Sequence, residues 1–381
     1  MNAEDLKSIV KQANQIPDAH IANIGAHVVN RISTVLGGLY NGTGIELSVG
    51  WLADANVRAR AYERVPGVHK IEISYGLATW LYRQAHILTA IIKTDHLLEK
   101  YSKAFIGSPS GQTRLLPEGT TAEQCRDLMF DTTLEWVFLH ELTHHAQSHL
   151  NIRSAHSSAS NLEIVDEAHV IGEPPLTGEE AKISHATEIA ADHEAVIHLL
   201  PYRAFGNKGK QLPQAEVFMF VCGLVSLFHK FYGSSSAPPE PIPVGTHPHP
   251  AVRFALARSA IMGVLSNPDF VSASAHWAIE KDKTFSMIDE AYTVGALYSL
   301  ELDNRASSEK AMAFIMSTNI KERPNTKAYL RTIFSQLKEL TPEIERQYVF
   351  TLLKAKLPVI TQEWEDLVKD ASPADASSLS V

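Results

Sequence analysis

A chain of 381 residues with 45% hydrophobic and 20% charged side chains carries enough apolar material for two or three globular domains. Its formal net charge of -9 and the lack of any dense Lys/Arg run exclude a general nucleic-acid binder, because neutralising phosphates requires a basic face. Two cysteines, Cys125 and Cys222, cannot build a disulfide framework, and neither lies in a CxxC spacing, so both read as ordinary thiols of a reducing compartment.

The opening stretch MNAEDLKSIVKQANQ lacks a basic segment followed by an apolar one, so no export signal is expected and a cytoplasmic location is. Ile21, Ile24, Val28, Ile32, Val35 and Leu39 follow helical spacing until the glycines of LGGLYNGTG stop it, and residues 1–50 read as an N-terminal helical segment. HKIEISYGL (69–77) alternates apolar and polar residues after the turn signal VPG, which predicts a short strand running into a helix from about Leu77 to Tyr101.

From Ala122 to about Leu150 the pattern is helical again. Leu134, Phe138, Leu142 and Ala146 share one face while Val137, His140 and His144 share another, so this helix should lie deep in the protein. Residues 151–182, rich in Ser, Gly, Pro and Glu, read as a long functional or mobile loop, with a second helix from near Ile183. The apolar run Val217–Phe228 is shorter than the ~20 residues of a membrane span and reads as a buried core helix.

A Pro/Ser loop (233–245) leads to a helix from about Pro250. Beyond Asn267 the periodicity stays helical, as at Tyr329, Ile333, Phe334, Leu337 and Leu340, with Pro324 and Pro342 as boundaries. The end, DASPADASSLSV, reads as a disordered tail. Trp80 and Trp136 are expected in the core.

The chemistry concentrates in EWVFLHELTHHAQSHLNI. His140, Glu141 and His144 form H-E-x-x-H, whose i,i+4 spacing on a helix aims two imidazoles at one Zn²⁺ and leaves Glu141 beside the metal as a general base. Extending the helix at 100° per residue turns His145 and His149 away from the ligand face. Gln147 and Leu150 occupy the positions where a Gly and a third His would complete a metzincin shell, so that route is missing.

The third ligand is sought in SHATEIAADHEAV. Glu188 and Asp192 are again i,i+4, with Ala190 and Ala191 allowing two helices to approach closely. Glu188 would complete a His2Glu set with the fourth position left for water, and Asp192 would accept the free N–H of a ligating histidine. His185, one turn before Glu188, is the substitute ligand.

H-E-x-x-H, E-x-x-A-D and H-P-x-x-x-x-R (His247, Pro248, Arg253), in that order, resemble the gluzincin metallopeptidases of the HtpX and CAAX-prenyl-protease type over about residues 56–260. The chain lacks the membrane helices typical of those enzymes. It is similar, less closely, to soluble Lit-like phage-exclusion peptidases.

The gluzincin resemblance implies His140, His144 and Glu188 as zinc ligands, Glu141 as base and Asp192 behind a ligand. It also implies His247 at the oxyanion with Arg253 supporting it, His249 remaining an alternative to His247. Finally, it implies that Ile71–Ser74 form an exposed strand edge to which an extended substrate could add.

The expected fold is therefore mainly α (α+β). A zincin-like catalytic domain (51–265), with a small sheet beside the H-E-x-x-H helix, follows the N-terminal segment and precedes a helical C-terminal region (266–370) and a tail (371–381). The expected function is a zinc-dependent endopeptidase acting on a protein or peptide, either broadly or on a single regulatory or defence target. A catalytically inactive zinc-binding scaffold is the competing class.

Overall fold

The computed structural model describes residues 3–94, 96–101, 115–157, 164–166, 176–206, 213–232, 240–277, 281–302 and 324–350. It is mainly helical with one small sheet, as the sequence predicts. The tail at 371–381 lies outside the described residues, as does most of the 158–175 stretch.

Helices α1 (Ala3–Asn14) and α2 (Asp18–Gly37) bear out the helical start. They give way to β1 (Glu46–Leu52), which starts inside the segment expected to be helical. β2 (Ala59–Val65) and β3 (Val68–Ser74) follow, joined by a turn at Pro66-Gly67 whose Gly67 has φ +79°, a left-handed value that a side chain would oppose. With β4 (Ile164–Asp166) they make a four-stranded sheet of order β1-β3-β2-β4.

β1 runs parallel to β3, with Val49 opposite Ile71, and β2 runs antiparallel to it, with Ala61 opposite Ile71. This corrects one expectation. Ile71–Ser74 belong to an interior strand paired on both sides, and no substrate can add there.

β3 runs directly into α3 (Tyr75–Ile92), whose cap is Ser74: its hydroxyl accepts from the Leu77 N–H at 3.0 Å and donates to the Asn56 carbonyl at 2.6 Å. Gly76 is required at this corner, since a Cβ there would sit 2.2 Å from the Ala55 carbonyl oxygen. α3 ends at Ile92, and the rest of the expected helix is a separate short turn, α4 (His96–Lys100).

The central element is α5 (Ala122–Ala146). A capping box starts it: Thr121 Oγ1 accepts from the Gln124 N–H at 3.2 Å, while Gln124 Oε1 accepts from the Thr121 N–H at 2.8 Å. Every residue from Thr132 to Ala146 is buried, which a helix achieves only when surrounded, and α2, α3, α7 and α8 all pack on it. Trp136 is in this core and Trp80 packs at its edge.

α5 stops before Leu150. Ser148 takes left-handed φ/ψ (54°, 36°), and a new helix, α6 (His149–His156), starts in a different direction.

α7 (Gly178–Gly206) begins five residues before the expected start and packs on α5, with Ala195 in the main core and Ala186 and Ala190 in a second apolar cluster. α8 (Pro213–Tyr232) is long and apolar enough, over Pro213–Phe231, to cross a membrane by length and composition. It is largely buried, packed between α5 and α11 (Lys281–Leu302).

α9 (Pro250–Leu265) and α10 (Pro268–Ala273) follow α8. α12 (Pro324–Gln347) starts at Pro324 but runs through Pro342, which is not a boundary. Its Tyr329, Leu330, Ile333, Phe334 and Leu337 form a second apolar cluster with Ile152, Ile183, Ile189 and Val252, so the back of α7 is covered from the C-terminal side.

Candidate metal centre

Two packed helices bring the predicted residues together. His140 and His144 leave one face of α5 a turn apart, and Glu188 faces them from α7; all three are buried. Their Nε2 atoms are 3.0 Å apart, and Glu188 offers Oε2 at 3.4 Å from His140 Nε2 and Oε1 at 3.4 Å from His144 Nε2.

Two donors each ~2.0–2.1 Å from a tetrahedral metal are themselves ~3.3 Å apart, so these spacings match a shared ion. Glu188 Oε2 is buried and accepts no hydrogen bond; Arg253 Nη2 and His247 Nε2 approach it only to 3.7 Å, so a closely bound cation would satisfy it better. The buried His-His-Glu cluster can hold a metal ion.

Asp192 lies behind this set, as expected, with Oδ1 3.0 Å from His140 Nδ1. The Arg253 guanidinium forks onto Asp192, with Nε to Oδ2 at 2.7 Å and Nη2 to Oδ1 at 2.6 Å, and stacks over Phe228. The fork matches planar guanidinium to planar carboxylate and fixes the Asp192 oxygen that faces His140.

His247 Nε2 is 3.7 Å from Glu188 Oε2, at the metal set. His249 instead caps α9, its Nδ1 accepting from the Ala251 N–H at 3.2 Å. Of the two histidines, His247 is the one that lies beside Glu188. Glu141 is fully buried on the ligand helix between the two histidines.

Burial alone would push Glu188 up. The neighbouring His247 and the Arg153 guanidinium instead hold it well below the usual carboxylate range, so it is the anionic member of the set. Burial also drives His144 well below the usual imidazole range, which keeps it neutral and its lone pair available.

His185 is not a substitute ligand: its Nδ1 is 2.7 Å from the Tyr329 hydroxyl of α12. His145 faces away, as expected, with Nε2 3.0 Å from the Lys70 carbonyl and its ring stacked 4.3 Å from that of His69, so it ties β3 to α5. His149 does not continue the α5 face, because the left-handed Ser148 swings it back. Its Nδ1 ends 2.8 Å from His144 Nδ1.

Two groups of residues escape sequence reasoning. Arg153 of α6 donates to Glu188 Oε1 at 2.7 Å and to Thr187 Oγ1 at 2.8 Å, fixing the one carboxylate of the set from behind. His149 Nε2 is 2.8 Å from Gln147 Oε1, and the Gln147 amide and the Tyr348 hydroxyl both donate to Glu194. No spacing rule announces either group, since each is assembled across a helix break or a long loop. Gln147 is noticed in the sequence only as a missing glycine.

Burial pushes His145 and His185 down to about 3, so the fold holds both rings neutral. Below the ordinary value of 6.5 the unfolded chain binds protons that the folded chain refuses. Their contribution is therefore fully present above pH 6.5 and is lost as pH falls toward 3, at up to ~1.4 kcal/mol per pH unit per ring. Urea midpoints should fall steeply between pH 6.5 and 4.5, and more shallowly in a His145→Gln/His185→Gln variant. An equal slope in both proteins would refute this.

Comparison of the chain with protein-family models, with curated proteins and with solved structures returned no match. The functional reading therefore stands on the geometry of the site.

Proposed function

We propose that the chain is a zinc-dependent endopeptidase. The observation that carries this reading is the convergence of His140, His144 and Glu188, at 3.0 to 3.4 Å from one another, beside a buried Glu141. Two imidazoles and a carboxylate are a donor set suited to zinc, and three protein ligands rather than four are the mark of a catalytic site. Bound there, zinc supplies Lewis acidity and lowers the pKa of water.

Glu141 then takes a proton from the attacking water and passes it to the amide nitrogen as the peptide bond breaks. His247, at the rim of the set, donates its N–H to the developing oxyanion. Asp192 and Arg253 hold His140, and Arg153 holds Glu188, so the ligands need not reorganise during the reaction. A protein or peptide of the cytosol is the substrate class in view.

One observation favours a second reading, a metal that serves structure alone. His140, Glu141, His144 and Glu188 are each at most 1% exposed, so a polypeptide reaches them only after the surrounding shell opens. A peptide-library digestion separates the two. Zinc-loaded protein is expected to create new termini that vanish on chelation and return when zinc is restored. A loaded protein that cuts nothing leaves the structural reading in place.

A further inference from the structure

His144 is backed by a chain of groups that belongs to no recognised motif. It runs from His144 Nδ1 to His149 Nδ1 (2.8 Å), then from His149 Nε2 to Gln147 Oε1 (2.8 Å), and from the Gln147 amide nitrogen to Glu194. Glu194 also faces the Tyr348 hydroxyl and, at 3.0 Å, His198 Nε2. His144, Gln147, His149 and Glu194 are all buried.

The direction of this chain is dictated from its far end. Gln147 turns its NH2 group toward the Glu194 carboxyl oxygen, to which it donates, and so presents Oε1 to His149. That oxygen requires a donor, which puts the His149 proton on Nε2 and leaves His149 Nδ1 bare. Two bare nitrogens at 2.8 Å would repel, so His144 carries its proton on Nδ1 and its Nε2 is a lone pair.

Asp192 biases the other histidine the same way by charge, since its carboxylate oxygen lies 3.0 Å from His140 Nδ1 and favours the proton on that side of the ring. Both Nε2 lone pairs then point into a space 3.0 Å across, closed by the Glu188 carboxylate. A metal cation bound to both lone pairs and to Glu188 relieves that convergence, and without one a proton must sit between the two rings.

We propose that His149, Gln147 and Glu194 are positioning residues that lock His144 in its Nδ1–H tautomer and so pre-form the metal site before any metal arrives. The proposal rests on the metal-binding part of the reading above and is independent of catalysis. Outer partners of ligating histidines typically contribute ~10–100-fold in metal affinity. His149 is therefore expected to matter to the metal without touching it.

The test uses two readouts on full-length protein. Ring ¹⁵N shifts of the metal-free wild type should show His144 protonated at Nδ1 and bare at Nε2, and the reverse tautomer overturns the proposal even if every variant misfolds. Zn²⁺ dissociation constants, from competition with a chromophoric chelator, should rise ~10–100-fold for His149→Leu and for Glu194→Gln. His149→Asn, whose Oδ1 can accept in place of Nδ1, should restore affinity to within a few-fold of wild type.

Thermal unfolding of the metal-free variants separates folding from binding. A folded His149→Leu that binds Zn²⁺ as tightly as wild type overturns the proposal, as does an Asn variant no better than Leu. Wild-type protein with the expected tautomer but no affinity for Zn²⁺ sinks the metal reading instead and leaves the tautomer lock standing.

Discussion

Glu141→Gln is expected to bind metal as the wild type does and to lose peptide hydrolysis by ~10²–10⁴-fold, the usual contribution of a positioned general base. The cluster that could hold the metal is His140, His144 and Glu188, with Glu141 outside it, so affinity should be unaffected. An amide of the same shape keeps the packing of a fully buried residue while losing the basic oxygen. The measurement is kcat/KM on any peptide the wild type cuts, at matched metal content. Equal rates would remove Glu141 from the chemistry and with it the peptidase reading.

Glu188→Gln should weaken Zn²⁺ binding by more than the ~10–100-fold typical of an outer partner, because it removes the one anionic donor. The amide oxygen can still accept from Arg153, so the apoprotein should stay folded. Glu188→Ala is harsher. It leaves the Arg153 guanidinium, which lies beside a fully buried position, without its counter-charge, and breaking such a pair costs about 3–5 kcal/mol. Circular dichroism and chelator competition on both variants would distinguish lost ligand from lost fold, and tight Zn²⁺ binding by Glu188→Gln would mean that the shell is closed by another residue.

The parts of the site that were legible in the sequence are those built from local spacing. His140 and His144, and Glu188 and Asp192, are i,i+4 pairs, and helix geometry alone puts each pair on one face. His149 stays outside the metal set, as expected, but by a different route: α5 does not continue to it, and the left-handed Ser148 turns the chain so that its ring meets His144. Nothing in THHAQSHLNI signals that break, since serine is not a residue that favours φ above zero.

Arg153, Glu194 and Tyr348 reach the site from 9, 50 and 204 positions beyond His144, and no single-sequence period spans such distances. The sheet was half legible for a related reason. HKIEIS alternates clearly, but β1 pairs with it in parallel and so lacks a hairpin turn to announce it, and charges interrupt the pattern of β2 in ARAYERV. Which strand would be interior could not be read from alternation at all.

The joint between α5 and α6 is closed from far along the chain. The Val349 N–H donates to the Ala146 carbonyl at 2.9 Å, and Ser148 Oγ to the Gln347 carbonyl at 3.0 Å, just beside the Tyr348 hydroxyl on Glu194. Chains leave the ribosome N-terminus first. His140, His144 and Glu188 therefore emerge well before residues 347–349, and a nascent protein spends its synthesis with the ligands made but the α5–α6 joint unclosed. On the proposed reading, metal acquisition is in this way tied to completion of synthesis, because a chain ending before residue 347 carries every proposed ligand but lacks the segment that closes the joint.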